Sequence, residues 1–338
     1  MRRALVVALV AVFGICGASA ATTFYTSPTG DGLWPCIQSD PCPLQNAINL
    51  ATAGDTVWLA AGTYDDHFYS YADGTAANPI WIKGPATAII DAPDDANHPE
   101  WPAVQIDDDY IIVEGITIKE ATWSDRDYLI WVLGTTGVVI RDVSLEGEAV
   151  LICMIANNND DLEVDNLDTR DADCGAADPN NIYHGSAFAA IDLQDSWLHD
   201  GHYKGSRFGI VLHWGSDDNI IGDVTAWNTD PNTTVGAAIW LDDYNPFPPY
   251  TDDPPNGNII SECDLDDSRV GVVLYGTSTD ITIGTVSGQT CGVQFEYASQ
   301  GAVCGNYATG NTDDECGTYE ASFDINSSCG GGGGCGGS

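Results

Sequence analysis

The chain has 338 residues, 43% of them hydrophobic, and its 50 acidic and 10 basic residues give a formal net charge of −40 at pH 7. So acidic a surface argues against nucleic acids and anionic membranes as partners, because like charges repel. It favours Ca²⁺ binding, or a medium of high salt in which the self-repulsion is screened.

The first twenty residues, "MRRALVVALVAVFGICGASA", combine two arginines, an apolar run and a terminal Ala-Ser-Ala. This pattern predicts a secretory signal peptide that is cleaved after Ala20. No later run approaches the roughly 18 apolar residues of a membrane span. We therefore expect an exported monomer with no membrane span.

Eleven cysteines are present, and Cys16 lies in the signal peptide, which leaves ten. An even number in an exported chain predicts disulfide bonds, although spacing alone does not decide the pairing. Cys36 and Cys42 flank "IQSDP" and could close one small loop.

The segment "PLQNAINLAT" carries Leu44, Ala47, Ile48 and Ala51 at helical spacing, which predicts a short amphipathic helix. It is followed by "AGDTVWLAAGTY", a short apolar strand between glycines. We interpret the helix as a cap, within about residues 23–55, for the end of a stack of strands.

A pattern of alternating apolar residues, closed by a turn residue at its fifth position, then recurs along the chain. Its copies begin at Ile80, Ile111, Val138, Leu162, Ile191, Asn219, Asn258, Ile281 and Ala302. Short strands that return about every 21 to 39 residues favour the coils of a parallel β-solenoid. The alternative is an antiparallel sandwich, but its turn signals should recur every 8–12 residues.

The N-terminal arrangement, "FYTSPTGDG" followed by "PCPLQNAINLATAGDTVWLAAGTY", resembles the entry of the right-handed parallel β-helix proteins, the pectate-lyase-like superfamily. The resemblance implies an all-β fold, a single-stranded right-handed parallel β-helix over residues 21–328 with a short N-terminal capping helix. Residues 329–338 form a Gly/Cys-rich tail. Members of the superfamily include polysaccharide lyases, glycoside hydrolases, epimerases and non-catalytic adhesins.

Stacked coils place equivalent residues about 4.8 Å apart, so the repeat predicts columns of side chains. The fourth position gives an outward ladder of alternating charge, Lys83, Glu114, Arg141 and Asp165. A second set of strands, aligned on its glycines, predicts inward columns at Ile210, Ile239, Val272 and Val293 and at Leu212, Leu241, Leu274 and Phe295.

The outward row of this second set is His213, Asp242, Tyr275 and Glu296, beside Trp240. Aromatic faces stack on sugar rings, whereas carboxylates and histidines bind hydroxyls, metals or protons. The row therefore predicts a functional face. We interpret His184, His199 and His202 as ordinary surface or turn histidines.

The longest coil contains "DDYNPFPPYTDDPPNG", which places Tyr244 and Tyr250 along one wall of a groove. Loops of this length on a regular scaffold commonly carry function. The oxygen ligands that Ca²⁺ prefers are offered here by Asp242, Asp243, Asp252 and Asp253.

We expect recognition and cleavage of an extracellular polysaccharide, by Ca²⁺-assisted elimination from a uronate-containing glycan. Elimination needs a base and a cation that stabilises the enolate. The resemblance implies Lys or Arg as the base, and Lys204 and Arg207 lie together in "HDGHYKGSR". The predicted catalytic residues are Lys204, Arg207, His213, Asp242 and Glu296. The predicted substrate-binding residues are Trp240, Tyr244, Tyr250, Tyr275 and Arg269.

Two alternatives stay open. An inverting glycoside hydrolase needs two carboxylates, and Asp242 and Glu296, two coils apart, would be separated by about 9.6 Å, at the wide end of the roughly 6.5–9.5 Å expected. A non-catalytic cell-surface protein of the adhesin type accounts equally well for a rigid acidic rod that carries aromatic residues.

Overall fold

The computed structural model describes residues 20–92, 102–120, 128–149, 152–175, 185–228, 237–242, 255–261, 263–265 and 270–275, and then the backbone of seven further strands. Apart from one short helix, α1 (Leu44–Leu50), the regular structure of these residues is β-strand.

The first sixteen strands are β1 (Thr23–Thr26), β2 (Thr56–Leu59), β3 (Gly62–Tyr64), β4 (Phe68–Tyr69), β5 (Ile80–Lys83), β6 (Ala88–Asp91), β7 (Val104–Ile106), β8 (Ile111–Glu114), β9 (Thr117–Glu120), β10 (Tyr128–Leu133), β11 (Val139–Arg141), β12 (Ser144–Ala149), β13 (Ile152–Asp160), β14 (Glu163–Asp165), β15 (Asp168–Cys174) and β16 (Ser186–Gln194).

The remaining strands are β17 (Trp197–His199), β18 (His202–Gly205), β19 (Phe208–His213), β20 (Ile220–Gly222), β21 (Thr225–Asn228), β22 (Ala237–Asp242), β23 (Ile259–Ser261), β24 (Val270–Tyr275), β25 (Ile281–Ile283), β26 (Val286–Ser287), β27 (Cys291–Tyr297), β28 (Gly301–Cys304), β29 (Ala308–Thr309), β30 (Asp313–Tyr319) and β31 (Phe323–Asn326).

The strands form three long parallel sheets and one pair. The twelve-stranded sheet runs β1-β2-β5-β8-β11-β14-β17-β20-β23-β25-β28-β31, the ten-stranded sheet runs β4-β7-β10-β13-β16-β19-β22-β24-β27-β30, and the seven-stranded sheet runs β3-β6-β9-β12-β15-β18-β21. Each coil thus contributes strands to successive sheets and pairs with the next coil. This arrangement is the right-handed parallel β-helix that the sequence predicts.

The interior of the helix is filled by the inward columns. Ile210, Ile239 and Val272 pair in register, and so do Leu212, Leu241 and Leu274, and none of these side chains is exposed to solvent. Alternation along each strand brings every second apolar residue to the same side, and stacking of the coils joins them into one core. The inward columns are therefore confirmed for these residues.

The fifth position of the repeat is a tight turn, as predicted. Asp142, Asn166 and Asp223 stand there with φ values of +53°, +54° and +53°. Asx residues tolerate this left-handed backbone better than other side chains that carry a Cβ atom.

The register of two copies differs from the prediction. The strand that pairs with β14 is β17, so the coil copy after Leu162 begins at Ser196 and not at Ile191, which lies in β16 of the ten-stranded sheet. The last copy is displaced by one residue, because Ala302 pairs with Thr282. The segment at Ile191 has the same alternation as the true copies, so the pattern alone does not separate them.

The capping helix and one disulfide are confirmed. Leu44, Ala47 and Ile48 of α1 are buried against the first coils, and Cys36 is bonded to Cys42. A second disulfide joins Cys153 to Cys174, across β13 and β15. Among the described residues, no helix has the length and apolar character needed to cross a membrane.

Candidate functional site

The predicted outward row forms in the predicted register. On the ten-stranded sheet, His213 pairs with Asp242, Asp242 with Tyr275, and Tyr275 with Glu296. The Nδ1–H of His213 donates to the backbone oxygen of Asp242 at 3.0 Å, and Nδ1 lies 3.7 Å from Oδ2 of the same residue. The side chains of Tyr275 and Glu296 lie outside the described residues.

The exposure of this row differs from the expectation. The side chains of His213 and Asp242 are completely buried, and Trp240 is only 7% exposed. Trp240 packs edge-to-face on Phe208, with the ring centroids 5.0 Å apart. These two rings belong to a second apolar cluster on the outer side of the sheet, which also includes Val211 and Val273. Trp240 therefore packs like a core residue and does not offer a free face to a sugar.

The two predicted bases, Lys204 and Arg207, belong to different sheets. Lys204 stands on β18 of the seven-stranded sheet, and its Nζ donates to the backbone oxygen of Arg170 at 2.6 Å. Arg207 precedes β19 of the ten-stranded sheet, is 7% exposed, and covers the ring of Phe208 at 5.0 Å. Lys204 therefore stands on a different sheet from Arg207 and Asp242.

Six of the predicted site residues lie outside the described residues, and their roles stay predictions. They are Asp243, Tyr244, Tyr250, Asp252, Asp253 and Arg269.

An open groove lies at the N-terminal end of the ten-stranded sheet, and the sequence patterns do not point to it. This tyrosine groove has a volume of about 270 Å³ and is lined by His67, Tyr69, Ser70, Pro102, Gln105 and Asp107. Tyr69 on β4 pairs with Gln105 on β7, so both side chains point to the outer side of the sheet.

The polar groups of the tyrosine groove are fixed by hydrogen bonds. Ser70 Oγ donates to Asp107 Oδ1 at 3.1 Å, and Gln105 Nε2 lies 3.4 Å from Asp107 Oδ2. The rings of His67 and Tyr69 lie 5.6 Å apart, and Tyr69 is 38% exposed. An exposed ring beside oriented acceptors and donors can bind a sugar.

A second cluster of functional groups lies on the twelve-stranded sheet. The predicted charge ladder is confirmed, because Lys83, Glu114, Arg141 and Asp165 pair in sequence, and His199 follows as the next member. Arg141 donates to Asp165 Oδ2 at 2.9 Å and to Glu163 Oε1 at 2.8 Å. These hydrogen bonds raise the pKa of Arg141, Glu163 contributing the larger part.

His199 is not the ordinary surface histidine of our interpretation, since it is only 6% exposed. The Trp197 ring stacks on it with centroids 3.6 Å apart. One potential ligand atom each from Glu163, Asp165 and His199 lies within 4.8 Å of those of the other two. We call these three residues the histidine–carboxylate cluster. With the register at Ser196 in place of Ile191, the sequence itself puts His199 in the charge ladder.

The predicted calcium site stays a prediction, because only Asp242 of its four ligands lies among the described residues. Ca²⁺ takes about six to eight oxygen ligands, whereas the histidine–carboxylate cluster offers an imidazole. It is the one cluster of three metal-ligating groups among the residues that the structure describes. Asp242 lies beside the His213 ring, and its predicted partners Asp243, Asp252 and Asp253 lie outside those residues.

No protein-family model and no curated protein sequence matches the chain, but solved structures share its fold. Pectate lyase Pel9A is 14% identical with a TM-score of 0.59, and the match covers 92% of this chain and 80% of that one. A rhamnogalacturonan lyase is 13% identical with a TM-score of 0.56, covering 90% and 87%. The enzymatically active domain of tailspike protein 2 from bacteriophage CBA120 is 10% identical with a TM-score of 0.54, covering 88% and 46%. At these identities the likeness concerns the fold.

Proposed function

We propose that the chain is exported and that it binds and cleaves an extracellular polysaccharide, which enters the tyrosine groove of the ten-stranded sheet. The tyrosine groove is the observation that carries this proposal, because it presents an exposed ring beside oriented polar groups. Three neighbours of the same fold are named as lyases or as an enzymatically active tailspike domain, which supports a glycan as the ligand.

The tyrosine groove lies several strands away from the predicted catalytic residues. The tyrosine groove lies on β4 and β7, and β19 follows five strands after β4 along the sheet. At about 4.8 Å per strand, this distance is about 24 Å. We assign the groove to a sugar subsite distant from the bond that is broken, which we place near Arg207, Asp242 and the loop that follows Asp242.

The reaction that we propose is elimination from a uronate. A base would remove the proton beside the carboxylate, and a cation held by Asp242, Asp243, Asp252 and Asp253 would stabilise the enolate. Arg207, which directly precedes β19 of the ten-stranded sheet, is the proposed base, and Lys204 is not proposed as a base because β18 belongs to the seven-stranded sheet. The net charge of −40 disfavours the approach of an anionic glycan, and a bridging cation would offset part of this repulsion.

A non-catalytic glycan-binding protein is the second candidate. The complete burial of His213 and Asp242 favours it, because a reacting sugar must touch its catalytic groups. In that case the tyrosine groove binds the glycan and no bond is broken.

The test is an incubation of the purified chain with acidic and neutral polysaccharides, first with Ca²⁺ and then with a chelator. Ultraviolet absorbance of unsaturated products and a reducing-end assay are followed together. Absorbance that depends on Ca²⁺ supports elimination, and reducing ends without absorbance support hydrolysis. If both assays stay silent while affinity electrophoresis shows binding, the second candidate is correct.

Tyr69→Ala and Trp58→Ala form the matched pair for the binding site. The two rings are 38% and 40% exposed, but Trp58 stands on the twelve-stranded sheet. We expect Tyr69→Ala to weaken glycan retention at least tenfold and Trp58→Ala to leave it unchanged. Equal retention by the two variants would remove the tyrosine groove from the proposal.

A further inference from the structure

The histidine–carboxylate cluster contains a buried ring nitrogen that no described residue satisfies. Asp200 Oδ2 lies 2.8 Å from Nδ1 of His199. A carboxylate only accepts hydrogen bonds, so Nδ1 carries the proton and donates it. The other nitrogen, Nε2, is buried and has no hydrogen-bond partner among the described residues.

The surroundings of Nε2 are those of a metal ligand. Glu163 Oε1, which accepts a hydrogen bond from Arg141, lies 3.8 Å from Nε2, and Asp165 Oδ1 lies 3.6 Å from Nδ1 of the same ring. With the proton on Nδ1, Nε2 carries a lone pair that no described residue satisfies. Two ligands bound to one tetrahedral ion at about 2.1 Å are roughly 3.4 Å apart, so a small movement brings both atoms into coordination.

The remaining groups orient the ligands and set the charge. A histidine whose other nitrogen donates to a carboxylate is the usual arrangement of a metal-bound imidazole. Stacking on Trp197 fixes the ring plane of His199. Glu163, Asp165 and Asp200 contribute three negative charges and Arg141 one positive charge, which leaves two negative charges for a dication to neutralise.

We propose that Glu163, Asp165 and His199 bind one divalent transition-metal ion of the zinc class. The imidazole decides the class, because Zn²⁺ accepts nitrogen and carboxylate ligands whereas Ca²⁺ takes oxygen. The side chains of Glu163 and Asp165 are 32% and 24% exposed, so an ion reaches the cluster from solvent. The site is separate from the tyrosine groove, which lies on another sheet.

The experiment is a calorimetric titration of the chelator-treated full chain with ZnCl₂ at pH 7.5, with CaCl₂ in a parallel titration. His199→Gln removes the ligand, and His202→Gln is the matched control on the next strand. We expect His199→Gln to lose one zinc equivalent and His202→Gln to keep it. Calcium binding should be the same in both variants.

A second variant keeps the proposal testable if His199→Gln fails to fold. Asp200→Asn leaves all three ligands in place and replaces the carboxylate that accepts the hydrogen bond from Nδ1 by a neutral amide, and we expect zinc binding to weaken about 10- to 100-fold. An unchanged zinc equivalent in folded His199→Gln would overturn the proposal. So would a folded parent chain that binds no zinc, since His199 would then form an ion pair with the carboxylates.

Discussion

His213 is a titratable side chain with no solvent exposure at all. Burial lowers its pKa to about 3, and the hydrogen bond to the backbone oxygen of Asp242 opposes only part of that shift. In the folded chain this imidazole therefore stays neutral over a pH range in which the histidine of an unfolded chain binds a proton. The environment of a single residue thus makes the stability of the molecule depend on pH.

We predict that the free energy of unfolding falls as the pH drops from about 6.5, the pKa of an unperturbed histidine, towards 3. Proton binding to the unfolded state drives this loss, because the folded state resists the same proton. Urea unfolding at pH 7, 6, 5 and 4 measures it. In His213→Gln the slope over this range should be smaller, whereas His202→Gln should keep the slope of the parent chain. Parallel slopes in all three proteins would contradict the assignment.

Asn219 is a second buried residue, and its side chain stabilises the fold through hydrogen bonds. Its Nδ2 donates to the backbone oxygen of Leu193 at 2.8 Å and to Asn258 Oδ1 at 3.0 Å. Its Oδ1 accepts from the backbone N–H of Ser196 at 3.0 Å. One side chain thus satisfies buried groups on the preceding coil and on the following coil.

We predict that Asn219→Ala lowers the free energy of unfolding by about 2–4 kcal/mol, because each buried group left unsatisfied costs about 1–3 kcal/mol. Urea denaturation gives the value. Asn46→Ala, an exposed change in α1, serves as the control and should alter it by less than about 0.5 kcal/mol. A loss of similar size in both variants would show that the hydrogen bonds of Asn219 are not what matters.

At the scale of the strand, the sequence predicts well which side chains point inward and which point outward. It predicts poorly which strands of successive coils pair with each other. The inward columns around Ile239 and Leu241 follow from period-two patterning, and the turn at Asp142 follows from its residue type. The register error at Ile191 arises because β16 is nine residues long and repeats the same alternation before the true copy begins. Strand length depends on pairing with the next coil, which the local pattern does not contain.

The sequence does not predict which outward-pointing side chains of these strands are exposed to solvent. Trp240 and His213 point away from the main core, as alternation requires, yet both are buried. An outward-pointing side chain is buried by residues outside its own strand, and the local pattern does not contain those contacts. The tyrosine groove is missed for a related reason, because Tyr69 and Gln105 meet only through pairing of coils 36 residues apart.

We predict that Trp240→Ala lowers the free energy of unfolding by about 3–5 kcal/mol, as expected for a large side chain removed from a core. A sugar-binding tryptophan on an open surface would instead cost little stability. Trp58→Ala, at a ring that is 40% exposed, is the matched control and should cost less than about 1 kcal/mol. Chemical denaturation of both variants measures the difference. A small loss in Trp240→Ala would return Trp240 to the substrate face that the sequence predicts.

At the scale of the whole molecule, each coil contacts mainly its neighbours, so the stability of the stack is approximately a sum of similar interfaces. The acidic residues are distributed over this stack, and the repulsion that arises from the net charge of −40 destabilises the contact between every pair of neighbouring coils. Screening of that repulsion should therefore act on the entire rod.

We predict that the melting temperature rises as NaCl is increased from 0.01 M to 1 M, because the screening length falls from about 30 Å to about 3 Å. Thermal scans followed by circular dichroism measure this rise, and CaCl₂ at matched ionic strength separates screening from ion binding. Equal curves for the two salts mean that screening accounts for the whole effect. A higher melting temperature in CaCl₂ means that the folded chain also binds Ca²⁺, which the described carboxylates do not account for. Melting that is insensitive to NaCl across this range would mean that the acidic residues lie too far apart to destabilise the stack.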